Sequence, residues 1–199
     1  VLGTTAFLSL YLTVPQELYP VTRLCAEPEA ERFPSVLKNL QVVLKDYGGD
    51  VDFILTRRDN KTISTQICDT LSAGGLVTTN LDVLMGGGSR MVFPLFGGNV
   101  NQRVARVYLP ALVGAAKTAL RTGSTLLPWI NLRTKTGFRL ILEDPIGPVP
   151  CLGQSVPDDH PELLALCERL RIILERWIVQ NPEQWTYWDR LHKRLVQET

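Results

Sequence analysis

Residues 51–83 read VDFILTRRDNKTISTQICDTLSAGGLVTTNLDV, and this stretch decides the expected fold. VDFIL (51–55) is a short apolar run that ends in charged residues, as a strand does. Ile63, Ile67 and Leu71 then recur at i, i+4 and i+8, which sets them on one face of a helix. Gly74-Gly75 supply the positive-φ residues on which helices end, and LVTTNLDV (76–83) resumes a strand.

The same alternation extends in both directions. Upstream, VTRLCA (21–26) reads as a strand, and a helix opened by Pro34 carries Val36, Leu37, Leu40, Val43, Leu44 and Tyr47 before Gly48-Gly49. TTAFLSLYLT (4–13) reads as a short buried helix ahead of a turn at Pro15. Downstream, Gly86-Gly87-Gly88 interrupts the pattern before the strand MVFPLF (91–96), and Pro110 opens a helix that ends at Gly123. LLPWINL (126–132) and FRLILED (138–144) suggest a hairpin. After a Pro/Gly-rich stretch (145–157), Asp159 with Glu162 forms a capping pair for a closing helix striped by Leu163, Leu166, Leu170, Ile173 and Trp177. A last helical turn holds PEQWTYWDRLHKR (182–194). Strands alternating with helices predict an α/β fold, a single domain with a mostly parallel central sheet flanked by helices.

Composition narrows the function. A chain of 199 residues with 45% apolar and 21% charged residues can bury a core. Its net charge of +1 lacks the basic excess of a nucleic-acid binder, so no nucleic-acid partner is expected. Cys25, Cys68, Cys151 and Cys167 form no C-x-x-C pair and read as small buried apolar groups in a reducing, cytoplasmic setting. No apolar run reaches the roughly 18 residues of a membrane span.

Several chemistries can be weighed residue by residue. Gly86-Gly87-Gly88 follows a strand but lacks the lysine and hydroxyl of a phosphate loop. Gly87-Gly88-Ser89-Arg90-Met91 lacks the second glycine of a serine-hydrolase elbow. The two histidines, His160 and His192, have no metal-ligand spacing, and no metal or other cofactor is expected. Arg57, Arg58 and Lys61 follow a strand at the mouth where α/β folds bind ligands, which suits an anionic headgroup, with a solvated loop as the alternative. Arg190, Lys193 and Arg194 interleave with Trp185, Tyr187 and Trp188, the composition of a peripheral membrane contact or of a tail anchored on the core.

Three blocks taken together resemble one family. NPEQWTYWDR (181–190) resembles the signature P-E-Q-W/Y-x-W-x-H-R-R of the bacterial lipid A biosynthesis (lauroyl/myristoyl) acyltransferase family, which is lysophospholipid acyltransferase-like. Pro182, Glu183, Gln184, Trp185 and Arg190 match, while Asp189 stands at the histidine. VFPLFGG (92–98) and ALRTGSTLLP (119–128) are similar to the family's V-x-F-F-G and L-A-x-x-T-G-A-P-V-V-P, and LVTTNLDV places Asp82 at its strand-ending acid.

The resemblance implies that residues 1–199 form one acyltransferase-like domain, without the family's first strand and hydrophobic anchor. It implies transfer of a fatty acyl group from acyl carrier protein or coenzyme A to a glycolipid-type hydroxyl at the cytoplasmic membrane face. Arg57, Arg58 and Lys61 would then hold a headgroup or phosphopantetheine phosphate, with Asp82 and Arg90 lining the cleft. The family's reaction uses a histidine base and a carboxylate five residues later. Aligned on Gly3, those positions are Val1 and Ala6. Residues five after His160 and His192 are Ala165 and Gln197, so no H-x4-D/E pair occurs in the chain. Two readings of the missing pair compete: a catalytically inactive member that binds lipid or serves a protein complex, or a truncated sequence whose histidine and first strand precede Val1.

Overall fold

Pro110 and Gly123 do bracket a helix, Pro110–Thr122, in the computed structural model of the chain. The structure describes residues 21–26, 42, 50–55, 62–79, 81, 91–95, 105–153, 155–185 and 188. The backbone divides into two compact units, Val1–Asn80 and Leu81–Thr199.

In the first unit, β1 (Val21–Ala26), β2 (Asp50–Leu55) and β3 (Leu76–Thr78) form a three-stranded sheet in the order β2-β1-β3. Both pairings are parallel, with Val21 opposite Asp50 and Leu24 opposite Thr78. The connection from β2 to β3 contains α1 (Ile63–Ser72), as its Ile63, Ile67, Leu71 spacing predicts. Gly74, at φ +79, turns the chain out of α1, and the amides of Gly74 and Gly75 bond the carbonyls of Leu71 and Thr70. Of the helix read after Pro34 only Val42 is described, and it is helical and exposed. The segment 4–13 lies outside the described residues.

The second unit contains β4 (Val92–Leu95), β5 (Ala105–Tyr108), α2 (Pro110–Thr122), β6 (Trp129–Arg133), β7 (Phe138–Leu142), α3 (Pro161–Gln180) and a 3-10 turn at Pro182–Gln184. Pro110 suits the first turn of α2 because its missing N–H would have no partner there. Gly123 closes the helix at φ +69, where the amide of Ser124 reaches back to the Ala119 carbonyl at 3.1 Å. Leu112, Val113, Ala116, Ala119 and Leu120 of α2 are all buried, as are Leu163, Leu166, Cys167, Leu170, Leu174 and Ile178 of α3. These two stripes meet Phe93, Val107, Ile146, Val156 and Trp185 in one hydrophobic cluster. Full burial contributes roughly 1.5–3 kcal/mol for each large aliphatic side chain, so this cluster dominates the stability of the unit.

The expected single, mostly parallel central sheet is not the architecture. The strands of the second unit form two separate antiparallel pairs, β4-β5 and β6-β7. The cause is connection length. A parallel crossover needs a dozen or more residues, and only residues 96–104 separate β4 from β5. Between β6 and β7 lies only a turn closed by the Thr134 amide on the Gly137 carbonyl at 2.8 Å. The helix α2 leads not into a strand beside β5 but into β6, which pairs onward with β7. ARVY (105–108) is a strand of only four residues, too short for its pattern to mark it in the sequence.

Candidate functional site

The residues that sequence reasoning singled out for substrate lie outside the described residues: Arg57, Arg58, Lys61, Asp82 and Arg90, and the motif positions Val1 and Ala6. The Gly86-Gly87-Gly88 loop, Tyr187, Asp189, Arg190, His192, Lys193 and Arg194 lie outside them too. The structure does describe most of the C-terminal signature, together with the hairpin to which it is attached.

Construction of this region starts at the end of α3. Asn181 terminates the helix, with its backbone N–H and side-chain Nδ2 both donating to the Trp177 carbonyl, at 3.0 and 3.2 Å. Pro182 cannot continue the hydrogen-bond ladder, and the chain makes its tight 3-10 turn. The turn delivers Gln184 to the open edge of β6. There the Arg133 amide donates to Gln184 Oε1 at 2.7 Å, and Gln184 Nε2 donates to the Arg133 carbonyl at 3.2 Å. One side-chain amide thus satisfies a donor and an acceptor that an edge strand otherwise leaves unpaired.

Trp185 follows with 8% of its surface exposed and belongs to the hydrophobic cluster. Trp188 packs on it edge to face, at 4.6 Å between ring centroids and 80° between planes, and donates from Nε1 to the Pro182 carbonyl at 2.6 Å. At the other end of the hairpin, Trp177 Nε1 donates to Glu143 Oε1 at 2.7 Å, and Glu143 also pairs with Arg176. The hairpin is therefore held by α3 at its base and by the signature at its tip.

His160 has a structural position. Its Nδ1 accepts the Glu162 amide at 3.2 Å, making it the N-cap of α3, in place of the expected Asp159–Glu162 pair. From α3, the largely covered Arg171 side chain bonds Glu168, Glu175 and the Pro94 carbonyl, which fastens β4 to the helix. The hydrogen bond from Arg171 holds the Glu168 carboxyl below its usual range, and the same bond raises the guanidinium. The cysteines split: Cys167 is buried as expected, but Cys151 is exposed and Cys68 half-buried. Among the described residues no cluster of His, Cys, Asp and Glu is placed to hold a metal ion. Among them, too, no helix is long and apolar enough to cross a membrane.

Comparison with known protein families, curated proteins and solved structures finds no match. Gln184 is the residue that matters most to the geometry of this region, and the quoted signature contained it without disclosing that its partner lies at Arg133. Replacing Gln184 with alanine removes both bonds to the edge of β6 and should cost about 1–2 kcal/mol. The Arg133 amide should then lose protection in hydrogen exchange, whereas unchanged protection would mean that Gln184 does not shield it.

Proposed function

We propose that this chain is a catalytically inactive, acyltransferase-like protein that acts as a lipid-binding or structural subunit of a larger assembly. The observation that carries the reading is the architectural use of two matched residues, Gln184, which seals a strand edge, and Trp185, which fills the core. His160, outside the matched blocks, caps a helix. Val1 and Ala6, at the positions of the family's histidine and carboxylate, can neither take a proton nor orient a group that does. Loss of a general base alone lowers a rate by about 10²- to 10⁴-fold. The exposed apolar groups of the second unit give lipid binding a physical basis, since Phe138, Leu142 and Trp188 are each about half exposed.

The test is acyl transfer by the purified protein, with acyl coenzyme A or acylated carrier protein as donor and a glycolipid hydroxyl as acceptor. The expected result is no transfer above the uncatalysed background. Transfer that disappears in His160→Asn or His192→Ala would overturn the proposal; asparagine at 160 retains a capping side chain, so the first loss would not be one of folding.

A further inference from the structure

We infer that the tip of the β6-β7 hairpin, with the adjoining Trp188, is a docking surface for an anionic lipid bilayer, a partner that rests on the lipid-binding reading above. Residues 129–142, WINLRTKTGFRLIL, contain Arg133, Lys135 and Arg139 and no Asp or Glu. Every residue from Arg133 to Arg139 is exposed. No residue of β6 or β7 belongs to the hydrophobic cluster; at the base of the hairpin Leu126 and the cluster residue Ile146 exchange backbone bonds at 2.9 and 2.8 Å. The exposed tip carries three cations and no Asp or Glu within its own two strands and turn.

Apolar groups line one face of the same ribbon. Phe138, beside the turn, and Leu142, at the base opposite Trp129, lie two strand repeats apart on β7 and are 51% and 48% exposed, while Arg139 alternates to the other face. Register sets Phe138 directly opposite Arg133. The Gln184 bonds to Arg133 fix the segment that ends in Trp188, itself 44% exposed, beside the same end of β6. Aromatic and aliphatic side chains beside cations match the two layers of a membrane interface, where rings and Leu enter the acyl boundary and Lys and Arg meet lipid phosphates. Each cation near such a surface contributes about 1 kcal/mol, roughly a fivefold change in binding constant. Leu142 offers nothing to a nucleobase, and the +1 net charge supplies no long-range pull toward nucleic acid, so the bilayer is the better fit.

The experiment is co-sedimentation of the whole chain with vesicles of phosphatidylcholine alone or containing a third of phosphatidylglycerol. The charge variant is Lys135→Glu with Arg139→Glu, and the apolar variant is Phe138→Ser with Leu142→Ser. All four side chains are exposed, and circular dichroism checks that the variants fold. Binding to the anionic vesicles only, reduced at least about tenfold by each variant and weakened by salt, is the expected result. No binding, or binding unchanged in the variants, overturns the hairpin as the surface and leaves the inactive lipid-binding reading standing. Binding of single-stranded RNA in preference to vesicles, lost in the same variants, overturns the bilayer as partner. Acyl transfer by the protein overturns the inactive reading without touching the vesicle result.

Discussion

Leu170→Ala should destabilise the second unit by about 2–5 kcal/mol, a loss large enough to unfold many domains at body temperature. Leu170 is 1% exposed in the middle of the α3 stripe and sits in the cluster that α2 and α3 build between them. Truncation there removes the transfer free energy of the lost carbons and leaves a cavity that two packed helices cannot readily close. The control is Ile172→Ala, two residues along the same helix but 51% exposed, which should change stability by no more than about 0.5 kcal/mol. All four tryptophans of the chain, Trp129, Trp177, Trp185 and Trp188, lie within Leu81–Thr199, so urea denaturation followed by tryptophan emission reports on this unit specifically. Equal effects of the two substitutions would mean that the α2–α3 stripe is not the core.

That core was legible in the sequence because it depends on local pattern. Leu163, Leu166, Leu170 and Trp177 recur at helical spacing, and Pro110 and Gly123 punctuate α2 through backbone chemistry that needs no tertiary context. The β6-β7 hairpin was legible for the same reason, two apolar runs around a Thr-Lys-Thr-Gly turn. Sheet pairing was not. Whether β4 pairs with β5, and β6 with β7 and nothing else, depends on which edges the chain can reach with the linkers it has, and strand composition does not encode that. The alternation of the first 80 residues stops where short linkers impose antiparallel pairs.

Side-chain roles were hidden by distance or by choice among neighbours. Gln184 and Arg133 are far apart in the chain, and no periodicity joins them. Asp159 and His160 both precede α3, and the capping pattern favoured the carboxylate. The helix begins one residue later than that pattern assumes, at Pro161, which leaves the imidazole to accept the Glu162 amide. Of the candidate substrate residues none is among those described.

Alkaline pH should destabilise the second unit through Cys167. The thiol is 0% exposed between α3 and its neighbours, and burial, which penalises the thiolate, pushes it up from 9.0 to about 12, with Lys117 pulling the other way and Asp158 adding to the rise. Between those two values the unfolded chain releases the proton while the folded chain keeps it, so the unfolded state binds fewer protons and stability falls as pH rises. The contribution is intact below about pH 9 and declines by about 1.4 kcal/mol for each further pH unit until the folded thiol itself ionises near 12. Cys167→Ala should flatten this part of the profile of urea midpoint against pH, although it lowers the whole curve by the small cavity it leaves. Alkylation by iodoacetamide at pH 8 checks the same burial kinetically, because only thiolate reacts and only where reagent can reach it. Cys151, exposed and with its thiol 3.3 Å from the Arg121 carbonyl, should be modified in the native protein, and Cys167 only after denaturant is added. Native modification of Cys167 at a rate near that of Cys151 would mean that α3 opens far more readily than its packing implies, and the alkaline loss of stability would then be absent as well.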